Sequence, residues 1–170
     1  MYNIVLDIKQ YINYKKIAMY INYRDIVKSV RESKAESYDE VVYECSPRNF
    51  IGACLDIYNE NPDRYYKFIE GYVMNNELWG ENNIQGAVRT GDIKVFKFLL
   101  DNEDRIRTSD YRDNPGILEE KLIPYILNVM EYSDCKSSYE EILVYALEKY
   151  PKYMEKERKK LKYLKSILNN

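Results

Sequence analysis

Residues Glu81 to Asp104 read ENNIQGAVRTGDIKVFKFLLDNED. Two apolar segments flank the pair Gly91-Asp92. Ile84, Ala87 and Val88 precede it; Ile93, Val95, Phe96, Phe98, Leu99 and Leu100 follow it. Spacings of three and four residues on both sides are those of amphipathic helices. A Gly-Asp pair between them is a stop-and-start signal, with glycine ending one helix and aspartate opening the next. The stretch therefore predicts helix, tight turn, helix.

The same texture extends in both directions. Ile4, Ile8 and Ile12, then Ile17, Ile21, Ile26, Val27 and Val30, predict helices over Asn3–Ile12 and Lys15–Arg31. Ile4, Leu6 and Ile8 also alternate, so a short strand is the alternative at the start. Arg31–Glu40 is polar and reads as a loop. Ser46-Pro47 signals a helix start ahead of Arg48–Asn59. Asn61-Pro62-Asp63 reads as a turn, with Asp63 as cap of a helix Arg64–Met74. Beyond the central pair, Thr108–Gly116 reads as a loop. A helix Leu118–Tyr132 carries Pro124, which predicts a kink or a split. Ser138 and Glu141 have capping-box spacing before Glu140–Tyr150, with Ile142, Leu143, Ala146 and Leu147 on its apolar face. Pro151 opens a last helix to about Leu168. Six or seven turn-separated helices without a hairpin signal place the chain in the all-α class.

The central unit has an echo. Gly52-Ala53 and Gly86-Ala87 lie 34 residues apart. Each is followed by a second apolar segment, Tyr66-Lys67-Phe68-Ile69 and Phe96-Lys97-Phe98-Leu99. A small residue on the first helix admits close approach of the second, and a lone pair cannot cover its own apolar faces, so such pairs stack. The block from Gly91 to Leu100, with Ala87-Val88 and Ile84 before it, resembles an ankyrin repeat. Asn82-Asn83-Ile84-Gln85 stands where that family has Thr-Pro-Leu-His, and Asn102-Glu103 stands in place of its closing Gly-Ala. The resemblance implies stacked antiparallel helix pairs, ankyrin-like or another α-solenoid, and a protein-binding role. The alternative is an irregular helical bundle. The expected organisation is a single α-helical domain over residues 1–170: N-terminal helices over 1–45, two degenerate pairs over 46–110 and C-terminal helices over 117–170.

Composition narrows the functions. The chain has 170 residues, is 45% hydrophobic and 32% charged, and carries a net charge of -2, which fits a globular domain rather than a disordered or polycationic chain. It contains no histidine, the commonest general base and metal ligand. Only six glycines occur, without a GxGxxG or Walker pattern, so no cofactor site is expected. Cys45, Cys54 and Cys135 are too scattered for a zinc site, and an odd, unpaired set fits a reducing setting. No apolar run approaches the ~18 residues of a membrane span. The N-terminus lacks the basic and long apolar regions of a signal peptide. A cytoplasmic protein is expected. Its 19 tyrosines, with abundant Asn, Ile and Lys, are residues of AT-rich codons, as in large DNA viruses and AT-rich phages, where the setting becomes the host cytoplasm.

Candidate sites follow by elimination. The acidic pairs Glu119-Glu120 and Glu140-Glu141 and the cluster Asp101, Glu103 and Asp104 read as solvated helix ends. Cys54 reads as core. Tyr66, Phe96 and Phe98 read as core by periodicity. Trp79 lies in a loop beside Gly80, where a large aromatic is a candidate anchor. The expected partner-binding rim is therefore Asn76, Trp79 and Glu81 with Asp104, Arg105 and Arg107. The last segment is basic, and Lys156, Lys159, Lys160 and Lys162 are the candidates for the alternative, nucleic-acid contact. The expected function is a non-catalytic protein-protein interaction module. A host-factor or defence antagonist is the viral form of that expectation, and a structural or assembly subunit is a further alternative.

Overall fold

The computed structural model describes residues 23–42, 49–75, 81–105, 117–134 and 136–151. These residues form eight α-helices and two short 3-10 turns, and no strand occurs among them. The all-α reading holds. The predicted helices over Asn3–Ile12 and after Pro151, the Ser46-Pro47 start and the loop Thr108–Gly116 lie outside the described residues. The chain divides into two compact units, one ending at Tyr72 and one beginning at Val73.

In the first unit, α1 is Tyr23–Glu32, α2 is Tyr38–Val42, α3 is Phe50–Asp56 and α4 is Pro62–Asn75, whose last turn belongs to the second unit. Helix α1 forms because Ile26 and Val30, four apart, are buried, with Asp25 in its first turn and Arg31 in its last. Its main helix neighbour is α3. The Tyr23 hydroxyl donates to Asp56 at 2.7 Å, and the Arg31 guanidinium donates two hydrogen bonds to Glu60, at 2.9 and 2.7 Å.

The helices depart from the local sequence signals at three points. The expected loop Arg31–Glu40 gives way to α2 from Tyr38 onward. The Ser33 hydroxyl accepts from the Ala35 N–H, the Glu40 carboxylate accepts from the Glu36 N–H, and buried Val41 pins the helix. The expected helix Arg48–Asn59 stops at Asp56, and Tyr58–Glu60 tightens into a 3-10 turn. Its i→i−3 bonds run from Glu60 N–H to the Ile57 carbonyl and from Asn61 N–H to the Tyr58 carbonyl. The cap of α4 is Asn61, not Asp63: the Asn61 side chain accepts from the Arg64 N–H at 3.3 Å. Pro62 decides this, because proline is favoured at the first helical position and places the cap just before itself.

Rings fill the first unit. Phe50 meets Phe68 and Tyr72 with centroids 6.3 and 5.4 Å apart. Tyr65 packs edge-on to Phe68, and the Arg64 guanidinium lies 5.1 Å over the Phe68 ring while donating to the Ser33 carbonyl. Tyr65 rather than Tyr66 is buried, and Tyr66 is half-buried. Gly71 is where the Tyr38 ring comes in: a Cβ there would overlap the ring.

The second unit holds α5 (Glu81–Thr90), α6 (Ile93–Asp101), α7 (Ile117–Tyr132) and α8 (Lys136–Lys149). The turn between α5 and α6 matches its sequence signal. Gly91 has φ +70°, the left-handed conformation that glycine adopts without a Cβ penalty. Its N–H donates to the Val88 carbonyl, and the Thr90 hydroxyl accepts from the Asp92 N–H. Asp92 is the N-cap of α6, accepting from the Lys94 N–H at 2.7 Å. At the far end Asn102 does what the missing Gly-Ala would do: its side-chain amide donates to the Phe98 carbonyl at 2.8 Å.

Ile84, Ala87, Val88, Val95, Phe96, Leu99 and Leu100 are all fully buried, each large aliphatic contributing about 1.5–3 kcal/mol by leaving water. Phe98 is only half-buried. The contacts close a ring: α5 packs on α6, α6 on α8, α8 on α7, and α7 on α5. First helix thus meets first helix and second meets second, an order shared by stacked helix pairs and by bundles with one crossing connection. Pro124 does not split α7; its ring lies on the exposed face while Leu122, Ile123 and Ile126 are buried. Helix α8 starts at Lys136, so Ser138 lies within its first turn and is not its cap. The Tyr139 ring and the Ser138 Cβ stand within 4 Å of where a Gly91 side chain would begin, so packing on the Gly91 turn supports the helix ahead of the capping signal.

Candidate interaction surface

The C-terminal half of α8 is bolted to the end of α6 by polar groups. The Tyr145 hydroxyl donates to Asp101 at 2.6 Å, Lys149 reaches the same carboxylate oxygen at 3.3 Å, and the Tyr150 hydroxyl donates to Glu103. The Tyr145 ring stands edge-on to Phe96, with centroids 6.4 Å apart. Its outer face carries the Lys97 ammonium, 4.7 Å from the ring centroid. The hydrogen bond to Asp101 pushes the Tyr145 phenol up to about 12, because ionising it would set two anions against each other; desolvation acts in the same direction.

Beside this network lies an open groove of about 420 Å³ between α6 and α8. Ile93 and Lys97 line it from α6; Glu140, Glu141, Val144, Tyr145 and Glu148 line it from α8. Glu141, Val144, Tyr145 and Glu148 fall at i, i+3, i+4 and i+7, one stripe of a helix. Val144 is 41% exposed, one of few large apolar side chains so placed. Glu140, Glu141 and Glu148 form no salt bridge among the described residues.

Of the acids expected at solvated helix ends, Asp101 closes α6 and is exposed, as is Asp104, whereas Glu140 and Glu141 are placed differently. Glu140 and Glu141 lie inside α8, not at its end, because the helix begins four residues ahead of Glu140. Asp101 and Glu103 accept from tyrosine hydroxyls. No charged side chain is buried among the described residues. Those residues also hold no cluster of three or more His, Cys, Asp or Glu suited to a metal. Cys54 is fully buried, as the core reading has it. No described helix is long and apolar enough to cross a membrane.

Of the expected rim, Asn76, Trp79 and Arg107 lie outside the described residues. Glu81 opens α5 and Arg105 closes the turn Glu103–Arg105, with their side chains outside the described set; Asp104 is exposed. The basic candidates Lys156, Lys159, Lys160 and Lys162 are also outside it. The groove went unread in the sequence because its residues come from helices more than 40 positions apart in the chain. The available signal was Val144 and Tyr145, apolar residues left over from the face Ile142, Leu143 and Ala146. No protein-family model, curated protein or solved structure matches the chain.

Proposed function

We propose that the chain is a non-catalytic protein-binding module that works by surface complementarity in the cytoplasm. The observation that carries this reading is the α6–α8 face. It is an open groove with an exposed valine and an aromatic ring among charged side chains, held on two helices that are tied together by Tyr145, Lys149 and Tyr150. A wide, shallow groove on fixed helices suits a segment of another protein better than an enclosed small molecule. The ankyrin-like block over residues 82–104 supports the same reading, since helix-pair stacks present extended binding faces. The Tyr-, Asn-, Ile- and Lys-rich composition favours a viral or phage source, and there the module serves as a host-factor or defence antagonist.

Trp79, with Asn76, Glu81, Asp104, Arg105 and Arg107, forms the second proposed contact region of this module. Affinity capture from the source cell followed by mass spectrometry tests the function. A protein recovered by the wild-type chain and lost with V144R or W79A, both still folded, supports it. Recovery of nucleic acid alone, released steeply by salt, would replace it with the nucleic-acid reading.

A further inference from the structure

The groove between α6 and α8 carries a charge imbalance among the described residues. Three glutamates line it against one lysine. None of the three is ion-paired among the described residues. The anion that is paired, Asp101, already has Lys149 and the Tyr145 hydroxyl. At the centre, between Glu141 and Glu148, lies the exposed side chain of Val144. The Lys97 ammonium rests on the Tyr145 ring at 4.7 Å, so the aromatic wall already stacks a cation. An apolar centre with carboxylates at both ends and an aromatic wall is complementary to an apolar residue flanked by lysine or arginine.

We propose that this groove is the docking site for a basic amphipathic segment of a partner protein. The proposal rests on the protein-binding reading and names the partner's chemistry. The segment seats an aliphatic side chain against Val144 and Ile93 and places its cations on Glu141 and Glu148, one helical turn to either side of Val144. Glu140 widens the acidic end. The carboxylates are exposed, so they supply orientation and salt-sensitive attraction, and the apolar contact supplies the position.

Fluorescence anisotropy of the full chain tests this with two labelled synthetic peptides. One has leucine at its centre and lysines on both sides; the other has glutamate in place of every lysine. The lysine peptide is expected to bind and the glutamate peptide is not. Raising salt from about 50 to about 500 mM should weaken binding on the order of tenfold. E141K/E148K should lose the lysine peptide and gain the glutamate peptide, V144A should weaken binding severalfold, and E131K on α7 should leave it unchanged. Circular dichroism melts of these surface variants should overlay the wild type. Equal binding of the two peptides, or wild-type binding by E141K/E148K, overturns the proposal. So does self-association of the chain that E141K/E148K abolishes, which would give the groove to a second copy, or displacement of the peptide by an oligonucleotide. A negative peptide result removes the partner chemistry only; the protein-binding reading falls if the capture experiment returns no protein.

Discussion

Two helices carry the same Gly-Ala signature and are used differently. In the first unit Gly52-Ala53 lies on α3, whose main helix neighbour is α1, and α3 meets α4 through the rings of Phe50, Phe68 and Tyr72. In the second unit Gly86-Ala87 lies on α5, which packs directly on α6, as the small pair leads one to expect. The first core is aromatic: Phe50, Tyr58, Tyr65, Phe68 and Tyr72 are buried. The described core of the second has Phe96 among aliphatics. An echo in sequence specifies that a helix forms and which face is apolar. Which neighbour covers that face depends on the volume of the residues opposite, and rings set a different spacing from alanines and valines.

The largest effect should come from the ring cluster. Phe50→Ala should cost about 3–5 kcal/mol in urea unfolding, near the upper end of the range for Leu99→Ala in the second unit, about 2–5. The sharper version is Phe50→Leu against Phe96→Leu. Phe50 has two ring partners and Phe96 has one, and each such pair is worth about 0.5–1.5 kcal/mol beyond buried area. Equal costs would break the contrast between the two cores.

The second unit's turn comes next. Gly91→Ala has space for its Cβ but places it at φ +70°, so it should destabilise by about 1–2 kcal/mol, with Gly91→Asn costing less. Asp92→Ala removes the α6 cap and should cost about 1 kcal/mol, read as a lower urea midpoint at unchanged slope.

The smallest effect is an alkaline one. Tyr38, beside Asp39, and Tyr145, beside Asp101, are each pushed up to about 12, and burial raises Tyr65 and Tyr72. A phenol whose folded value lies above its unfolded value near ~10 adds stability that is complete below pH ~10 and disappears as pH climbs toward the folded value. Stability should therefore fall between pH 10 and 12. More of that slope should vanish in Y38F/Y72F, which removes two of these phenols, than in Y145F, which removes one. A pH titration of unfolding free energy that shows the reverse ranking would put the sensitivity in the other unit.

What was legible in the chain was local chemistry. Gly91-Asp92 announced its turn because left-handed backbone and N-cap hydrogen bonds are properties of those two residues alone. Helical periodicity named Ile84, Ala87, Val88, Leu99 and Leu100 as core. Capping signals misled where two candidates competed: Asn61 took the role assigned to Asp63 because Pro62 fixed the first helical position, and Ser138 lost its role because Tyr139 packs on the Gly91 turn. The α6–α8 groove was illegible for a different reason. Lys97 and Tyr145 are brought together by helix packing, and nothing in either segment alone encodes their meeting.

The functional claim is that a protein docks on the α6–α8 face, and a photo-crosslinker in place of Val144 tests it most directly. In source-cell extract, a crosslinking side chain at position 144 should yield a discrete protein adduct that a crosslinker at exposed Glu131 on α7 does not, and E141K/E148K in the same chain should remove it. Adducts of equal yield at both positions, or nucleic acid in place of protein at position 144, would contradict the account.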